Sequence, residues 1–159
     1  MNTSPCLPSP EMVDAFSKLM DSLYEFVQIS RQYQSVPHHY GEGGALYMAE
    51  AHLLQQIALQ DGITAAELSQ RCKKTASSIS QLTGKLVAKG MVCREESPHN
   101  KKNVVFSLTE KGRRVNALHN AYDRRCYTDT LQRVEGYNVE DFRRFSQLLD
   151  AIKADIGAG

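Results

Sequence analysis

The chain has 159 residues, 42% hydrophobic and 23% charged, which suits one globular domain with a modest core and excludes collagen, tail-like disorder and a large multidomain enzyme. No stretch approaches the roughly 18 apolar residues of a spanning helix, and Met1 to Pro10 has neither the basic nor the apolar region of a signal peptide, so a soluble, cytosolic protein is expected. The net charge of +1 hides an asymmetry: Arg71 to Arg114 holds 11 Lys and Arg against 3 Asp and Glu while the other 115 residues carry −7, which points to a polyanion partner for the middle of the chain alone.

Residues 1–10, with Pro5, Pro8 and Pro10, read as a flexible leader. From Glu11, the apolar residues Met12, Phe16, Leu19, Leu23, Phe26 and Val27 recur at helical spacing to about Gln34, with Glu11 and Asp14 at the positive end of the helix dipole. Ser35–Gly44, with Pro37 and three glycines, is a loop. A second helix, Ala45–Gln60, turns Leu46, Leu53, Leu54 and Ile57 inward and ends at Asp61-Gly62. Thr64-Ala65-Ala66-Glu67 is a capping box that starts a short helix to about Arg71. Cys72-Lys73-Lys74 allows only a tight turn before a helix from Thr75 to Lys89. Ile79, Leu82, Leu86 and Val87 lie on one side of that helix, a polar face on the others, and Gly90 ends it. Two helices joined by a few residues, the second with a small polar outer face, form a helix-turn-helix.

Two β-prone runs follow, Met91–Arg94 and Val104–Leu108, a hairpin with a long basic-tipped loop. Thr109 caps a helix through Val115, Leu118 and Tyr122 to about Gln132, and Asn138 starts a last one with Phe142, Phe145, Leu149, Ile152 and Ile156 in its stripe. The order is α-α-α-α-β-β-α-α, mainly α with a small β-hairpin. The terminal helices carry broader apolar stripes than the central module can cover, so a dimer made by pairing the chain ends is expected.

Taken in order, Thr64-x-x-Glu67-Leu68, Thr75–Ser80, Lys85-Leu86-x-x-Lys89-Gly90-Met91-Val92 and Leu108-Thr109-Glu110-Lys111-Gly112 resemble the MarR family of winged-helix transcriptional regulators over roughly residues 11–157. The resemblance implies a homodimer whose two winged helix-turn-helix lobes read a palindromic operator, acting as a repressor, with an effector that changes the lobe spacing. It divides the chain into the leader (1–10), an N-terminal dimerisation helix and loop (11–44), a DNA-binding domain (45–112) and C-terminal dimerisation helices (113–159). The family commonly has Asp-x-Arg at the wing tip, its Arg entering the minor groove; here the stretch reads Asn100-Lys101-Lys102. Lysine keeps the charge and loses the planar fork, so phosphate anchoring with weaker minor-groove readout is expected.

A helix entering a major groove needs small or hydrogen-bonding side chains outside and cations beside it. Thr75, Ser77, Ser78, Ser80, Gln81 and Lys85 supply the recognition face, with Gln81 the foremost base reader. Arg71, Lys73, Lys74 and Arg94 supply backbone contacts, joined by the wing residues. The competing reading is a well-capped, solvated helix end with a soluble charged face.

The effector is open. His119 and Asp123, four apart on one helix face, suit a divalent ion such as zinc. In zinc-sensing members of the family the position matching His119 looks like a ligand, with His usual where this chain has Asp123; His52 falls near another ligand position, and Glu25 or Glu42 would complete the set. The same histidines read equally as hydrogen-bonded helix residues. Glu50, about 200° around the helix from His52, would serve a second site or a polar network instead. His38 and His39 read as solvated loop residues and His99 as a wing residue near phosphate. A small aromatic ligand lined by Tyr24, Tyr40, Tyr47 and Tyr122 is the alternative effector, and a redox switch at Cys126, beside Arg124 and Arg125, a third.

Cys6, Cys72, Cys93 and Cys126 form no CxxC and read as free thiols, Cys72 and Cys93 as small buried hydrophobes. No cofactor is required. There is no Gly-rich phosphate loop, nucleophile elbow or HExxH, so an enzyme is not expected. A winged-helix adaptor that binds only proteins is the alternative from another class, and it calls for no cations around the second helix of the motif.

Overall fold

The computed structural model describes residues 7–41, 44–96 and 104–157. Pro10 opens α1 (Pro10–Gln34), one residue before the expected start, because its fixed φ suits the first helical position and the Ser9 side chain accepts the Met12 N–H at 3.2 Å. No residue of α1 is buried.

The segment read as a loop contains a short strand, β1 (His38–His39), paired antiparallel with β2 (Ala45–Leu46). The expected helix start at Ala45 is thereby corrected: α2 runs Met48–Ala58. Ala45 and Leu46 are apolar enough to extend the helix. The chain turns at Tyr47 instead, where the Glu50 carboxylate accepts the Tyr47 N–H at 2.9 Å.

After β3 (Ile63–Thr64) come α3 (Ala65–Cys72), α4 (Ala76–Ala88), β4 (Val92–Glu96) and β5 (Val104–Leu108). The strands form an antiparallel sheet in the order β3-β5-β4, with Ile63 opposite Phe106 and Val92 opposite Leu108. β3 has no counterpart in the sequence reading, because two residues after a turn glycine, the second of them the cap of α3, carry no alternation. Leu53, Leu54 and Ile57 of α2, Leu68 of α3 and Ile79 and Leu86 of α4 close over Met91, Val92, Phe106 and Leu108 as one core. Burial of side chains of this size contributes about 1.5–3 kcal/mol each. One residue expected on the inward side is corrected: Val87 is 38% exposed, turned away from its buried neighbour Leu86.

By internal contacts the chain divides into two units, Met1–His119 and Asn120–Gly159. Helix α5 (Glu110–Leu131) begins in the first and ends in the second, which also holds α6 (Val139–Gly157). Asn138 caps α6 as expected: its side chain accepts the Glu140 and Asp141 N–H groups at 2.8 and 3.2 Å, and Asp141 accepts the Asn138 N–H at 2.9 Å. No residue of α6 is buried.

The start of α5 is bolted to the residues after α4. The Thr109 N–H donates to the Met91 carbonyl at 3.0 Å, its hydroxyl donates to the Gly90 carbonyl at 2.8 Å, and the Lys111 ammonium donates to the Lys89 carbonyl at 2.9 Å. The Gly112 N–H returns to the Thr109 hydroxyl at 3.0 Å. A Cβ on Gly112 would stand 2.0 Å from the Met91 carbonyl oxygen, so the glycine is required by contact with another segment. Gly84, on the exposed side of α4, meets nothing within 4 Å. Urea denaturation of two alanine variants should therefore give opposite signs. Gly84→Ala is expected to gain up to about 1 kcal/mol from helix propensity, whereas Gly112→Ala is expected to lose about 1–3 kcal/mol because backbone must move.

Candidate nucleic-acid interface

Thr64 and Glu67 form the capping box that the sequence indicates. The Thr64 hydroxyl oxygen accepts the Glu67 N–H at 3.2 Å, while the Glu67 carboxylate accepts the Thr64 N–H at 2.8 Å and its hydroxyl at 2.6 Å. These bonds, that from the Thr64 side chain foremost, hold the Glu67 carboxyl below the ordinary carboxylate range. Helix α3 ends at Lys73, whose φ of 50° and ψ of 45° place it in the left-handed region. Around it the Lys73 N–H reaches the Gln70 carbonyl at 3.3 Å, the Lys74 N–H the Ser69 carbonyl at 3.1 Å, and the Ser69 hydroxyl donates to the Lys74 carbonyl.

Thr75 then caps α4, its hydroxyl oxygen accepting the Ser78 N–H at 3.2 Å. Ile79, Thr83 and Leu86 face the core. The Thr83 hydroxyl is satisfied by donating to the Ile79 carbonyl at 2.9 Å. Thr75, Ser77, Ser80, Gln81 and Lys85 lie exposed and Ser78 half-buried, so the polar residues singled out in the sequence occupy the outer side of one helix. Its rim carries the exposed cations Lys73 and Lys74. Arg94 is exposed on β4. Arg71 is held more firmly: its guanidinium donates to Gln60 Oε1 at 2.6 Å and to the Gln56 carbonyl at 3.3 Å, near the C-terminal end of α2. Asn100, Lys101, Lys102 and His99 lie outside the described residues.

Sequence reasoning missed one pair. Glu50 is 1% exposed and accepts the Lys89 ammonium at 2.7 Å, and Lys89 also donates to the Ala45 carbonyl at 2.9 Å. Of the two roles open to Glu50, the polar network is the one observed. A signal existed: Glu50 stands three and four residues before the buried Leu53 and Leu54, on the inward face, where a carboxylate requires a partner. The identity of that partner, 39 residues away, has no local signature.

His119 is 1% exposed, with its ring centroid 5.0 Å from that of Tyr40, edge to face, and 6.0 Å from that of His52. Glu25 is exposed on α1, Asp123 belongs to the second unit and Glu42 lies outside the described residues. Among the described residues no group of three or more His, Cys, Asp or Glu is placed to hold a metal ion. Tyr40 is corrected from ligand lining to core: it is 4% exposed and its hydroxyl points to the Met48 sulfur at 3.7 Å. A cleft of about 390 Å³ in the first unit is lined by Gln34, His52, Gln55, Gln56, Arg71, Cys72 and Lys74, and by none of the four tyrosines. Cys72, Cys93 and Cys126 are free and half-buried. Burial pushes the Cys72 thiol up despite Lys74 and Arg71 nearby, and the Cys93 thiol donates to the Ser107 carbonyl at 3.3 Å. Next to Cys126, the Arg125 guanidinium lies over the Tyr122 ring, 5.6 Å from its centroid.

Residues 47–102, about a third of the chain, match the profile of the MarR family. An HTH-type transcriptional regulator of Bacillus subtilis, YhjH, is 25% identical over 113 residues, 71% of this chain and 65% of the relative. The chain thus spans about two thirds of the length of the curated relatives it matches. The crystal structure of zinc-responsive Lactococcus lactis ZitR superposes with a TM-score of 0.67 at 17% identity, covering 89% of this chain and 99% of that one. That of Streptococcus pneumoniae FabT in complex with DNA gives 0.66 at 16%, covering 92% and 98%. These likenesses establish the fold, which among the described residues has six helices and a small antiparallel sheet. The proteins matched are regulators, not enzymes.

Removing one member of a buried ion pair strands the other. Lys89→Met is expected to lose about 3 kcal/mol in chemical denaturation. Glu50→Gln should lose less, since an amide oxygen still accepts the Tyr47 N–H.

Proposed function

We propose, from the match of residues 47–102 to the MarR family profile and the fold shared with the solved structures, that the protein is a DNA-binding transcriptional regulator, acting in the cytoplasm as a homodimer that represses a palindromic operator. The observation that carries the reading is the outer side of α4, where Ser77, Ser80, Gln81 and Lys85 lie exposed next to Lys73 and Lys74. Small hydroxyls let the helix backbone approach base edges, Gln81 offers a donor and an acceptor to one base, and the lysines reach phosphates on either side. A protein-only adaptor has no use for that ring of cations.

The dimer is supported by the apolar faces that each unit leaves uncovered. Met12, Phe16 and Phe26 on α1 are 42–64% exposed, and Phe142, Phe145 and Ile156 on α6 are 41–72% exposed. Exposed apolar surface of that extent favours burial against a second copy. Light scattering should give twice the mass of the 17.8 kDa chain. Retardation of DNA from upstream of its own coding sequence should weaken steeply with salt. Gln81→Ala should lower affinity for that DNA by about 1–3 kcal/mol while leaving random-sequence binding unchanged. A monomer, or binding indifferent to salt, contradicts the reading.

For the effector, a divalent metal of the zinc type is favoured over an aromatic ligand or an oxidant by one observation, the two imidazoles of His52 and His119 lying side by side. Two imidazoles do not complete a site, and no described residue adds a third donor to them. Titration of the metal-free protein with zinc should change its operator affinity, and His52→Ala should reduce that response without altering DNA binding in a chelator. Equal affinity with and without zinc removes the metal from the proposal.

A further inference from the structure

The turn between α3 and α4 holds the single described non-glycine residue at positive φ, and that residue is a lysine. Left-handed backbone is costly for a side chain with a Cβ, which is why helices that end this way usually place glycine there. Nothing in the turn compels lysine. Its N–H bond to Gln70 and the two bonds between Ser69 and Lys74 use backbone atoms or the Ser69 hydroxyl, and glycine would form the same turn without strain. Compensation of the α3 dipole does not require it either, since Arg71 already supplies a cation in the last turn of α3.

Resting on the DNA-binding reading above, we propose that Lys73 is a backbone-phosphate contact, kept at a cost in folding stability because the left-handed turn sets the side of the motif from which its exposed side chain leaves. The cation sits one residue beyond α3 and two before the cap of α4, where the two helices of the motif meet. Phosphates flanking a major groove entered by α4 pass this corner. The Ser69 bonds to both the N–H and the carbonyl of Lys74 keep the turn from swivelling. The direction of the Lys73 Cα–Cβ bond is thus set before DNA arrives, while the stem that carries the ammonium stays free to find a phosphate.

The two costs have opposite signs in one variant. Lys73→Gly should raise the thermal midpoint, as relief of left-handed strain requires. It should also weaken binding to a random-sequence duplex and to a duplex from upstream of its own coding sequence by the same factor, roughly tenfold at low salt, and make the plot of log K against log salt shallower by about 0.9 for each subunit bound. Lys73→Asn, which also tolerates the conformation, should behave like glycine, and Lys73→Arg should keep both the lower midpoint and the affinity. If the wild-type protein binds DNA with steep salt dependence and Lys73→Gly binds equally well, this assignment is overturned while the DNA-binding reading stands. A lower midpoint for Lys73→Gly overturns the strain argument. If the wild type binds neither duplex at low salt, the DNA-binding reading falls, and this assignment with it.

Discussion

The position of α4 depends on one buried carboxylate. Glu50 takes the Tyr47 N–H and the Lys89 ammonium, and Lys89 reaches on to the Ala45 carbonyl, so the last turn of α4 is tied to the first turn of α2 and to β2. From the other side Thr109 and Lys111 hold the carbonyls of Lys89, Gly90 and Met91, and Gly112 lets α5 approach the same backbone. Clamped at its C-terminal end from two directions, α4 keeps Ile79, Thr83 and Leu86 on the core and presents Ser77, Ser80, Gln81 and Lys85 outward. The desolvation cost of the pair is offset by the bonds that each partner makes, two to the carboxylate and two from the ammonium, which makes it a device for fixing geometry more than for adding stability.

The clamp also changes what the charge count means. Eleven cations lie between Arg71 and Arg114, yet Lys89 neutralises Glu50, Lys111 binds a carbonyl, Arg113 donates to the Leu108 carbonyl at 2.9 Å, and Arg114 pairs with Glu110 at 3.3 Å. Arg71 is held against the end of α2. The described cations that remain for a polyanion are Lys73, Lys74, Lys85 and Arg94, fewer than the sequence surplus implies and close to the outer side of the helix-turn-helix. Under the proposed function, positive charge in this segment therefore has two tasks, holding the lobe together and meeting phosphate.

What the sequence made legible was whatever is encoded within one turn of a helix. The Thr64–Glu67 box, the Thr75 cap and the Asn138 cap all form where hydroxyl, amide and carboxylate spacing indicates. What it hid depends on distant partners. Ala45 and Leu46 become a strand because His38 and His39 lie opposite, and Ile63 and Thr64 because Phe106 and Val105 do. Two-residue strands have no period to read. Val87 follows the apolar stripe yet stays exposed, since the half turn of a helix that faces the core accommodates only part of a broad stripe. Gly112 shows the same limit, for its need is set by the Met91 carbonyl in another segment.

Any movement of α4 is constrained by the same clamp. A signal that bent α4 would have to break the Glu50–Lys89 pair and leave a carboxylate with 2% exposure uncompensated, a cost of several kcal/mol. Moving the whole lobe leaves those bonds intact. Typical allosteric coupling amounts to about 1–3 kcal/mol, which is too little to break the pair and enough to shift a lobe between arrangements close in energy. Under the proposed function, an effector would therefore act by setting the distance and angle between two intact recognition helices, and a palindrome with fixed half-site spacing is the partner that detects such a change.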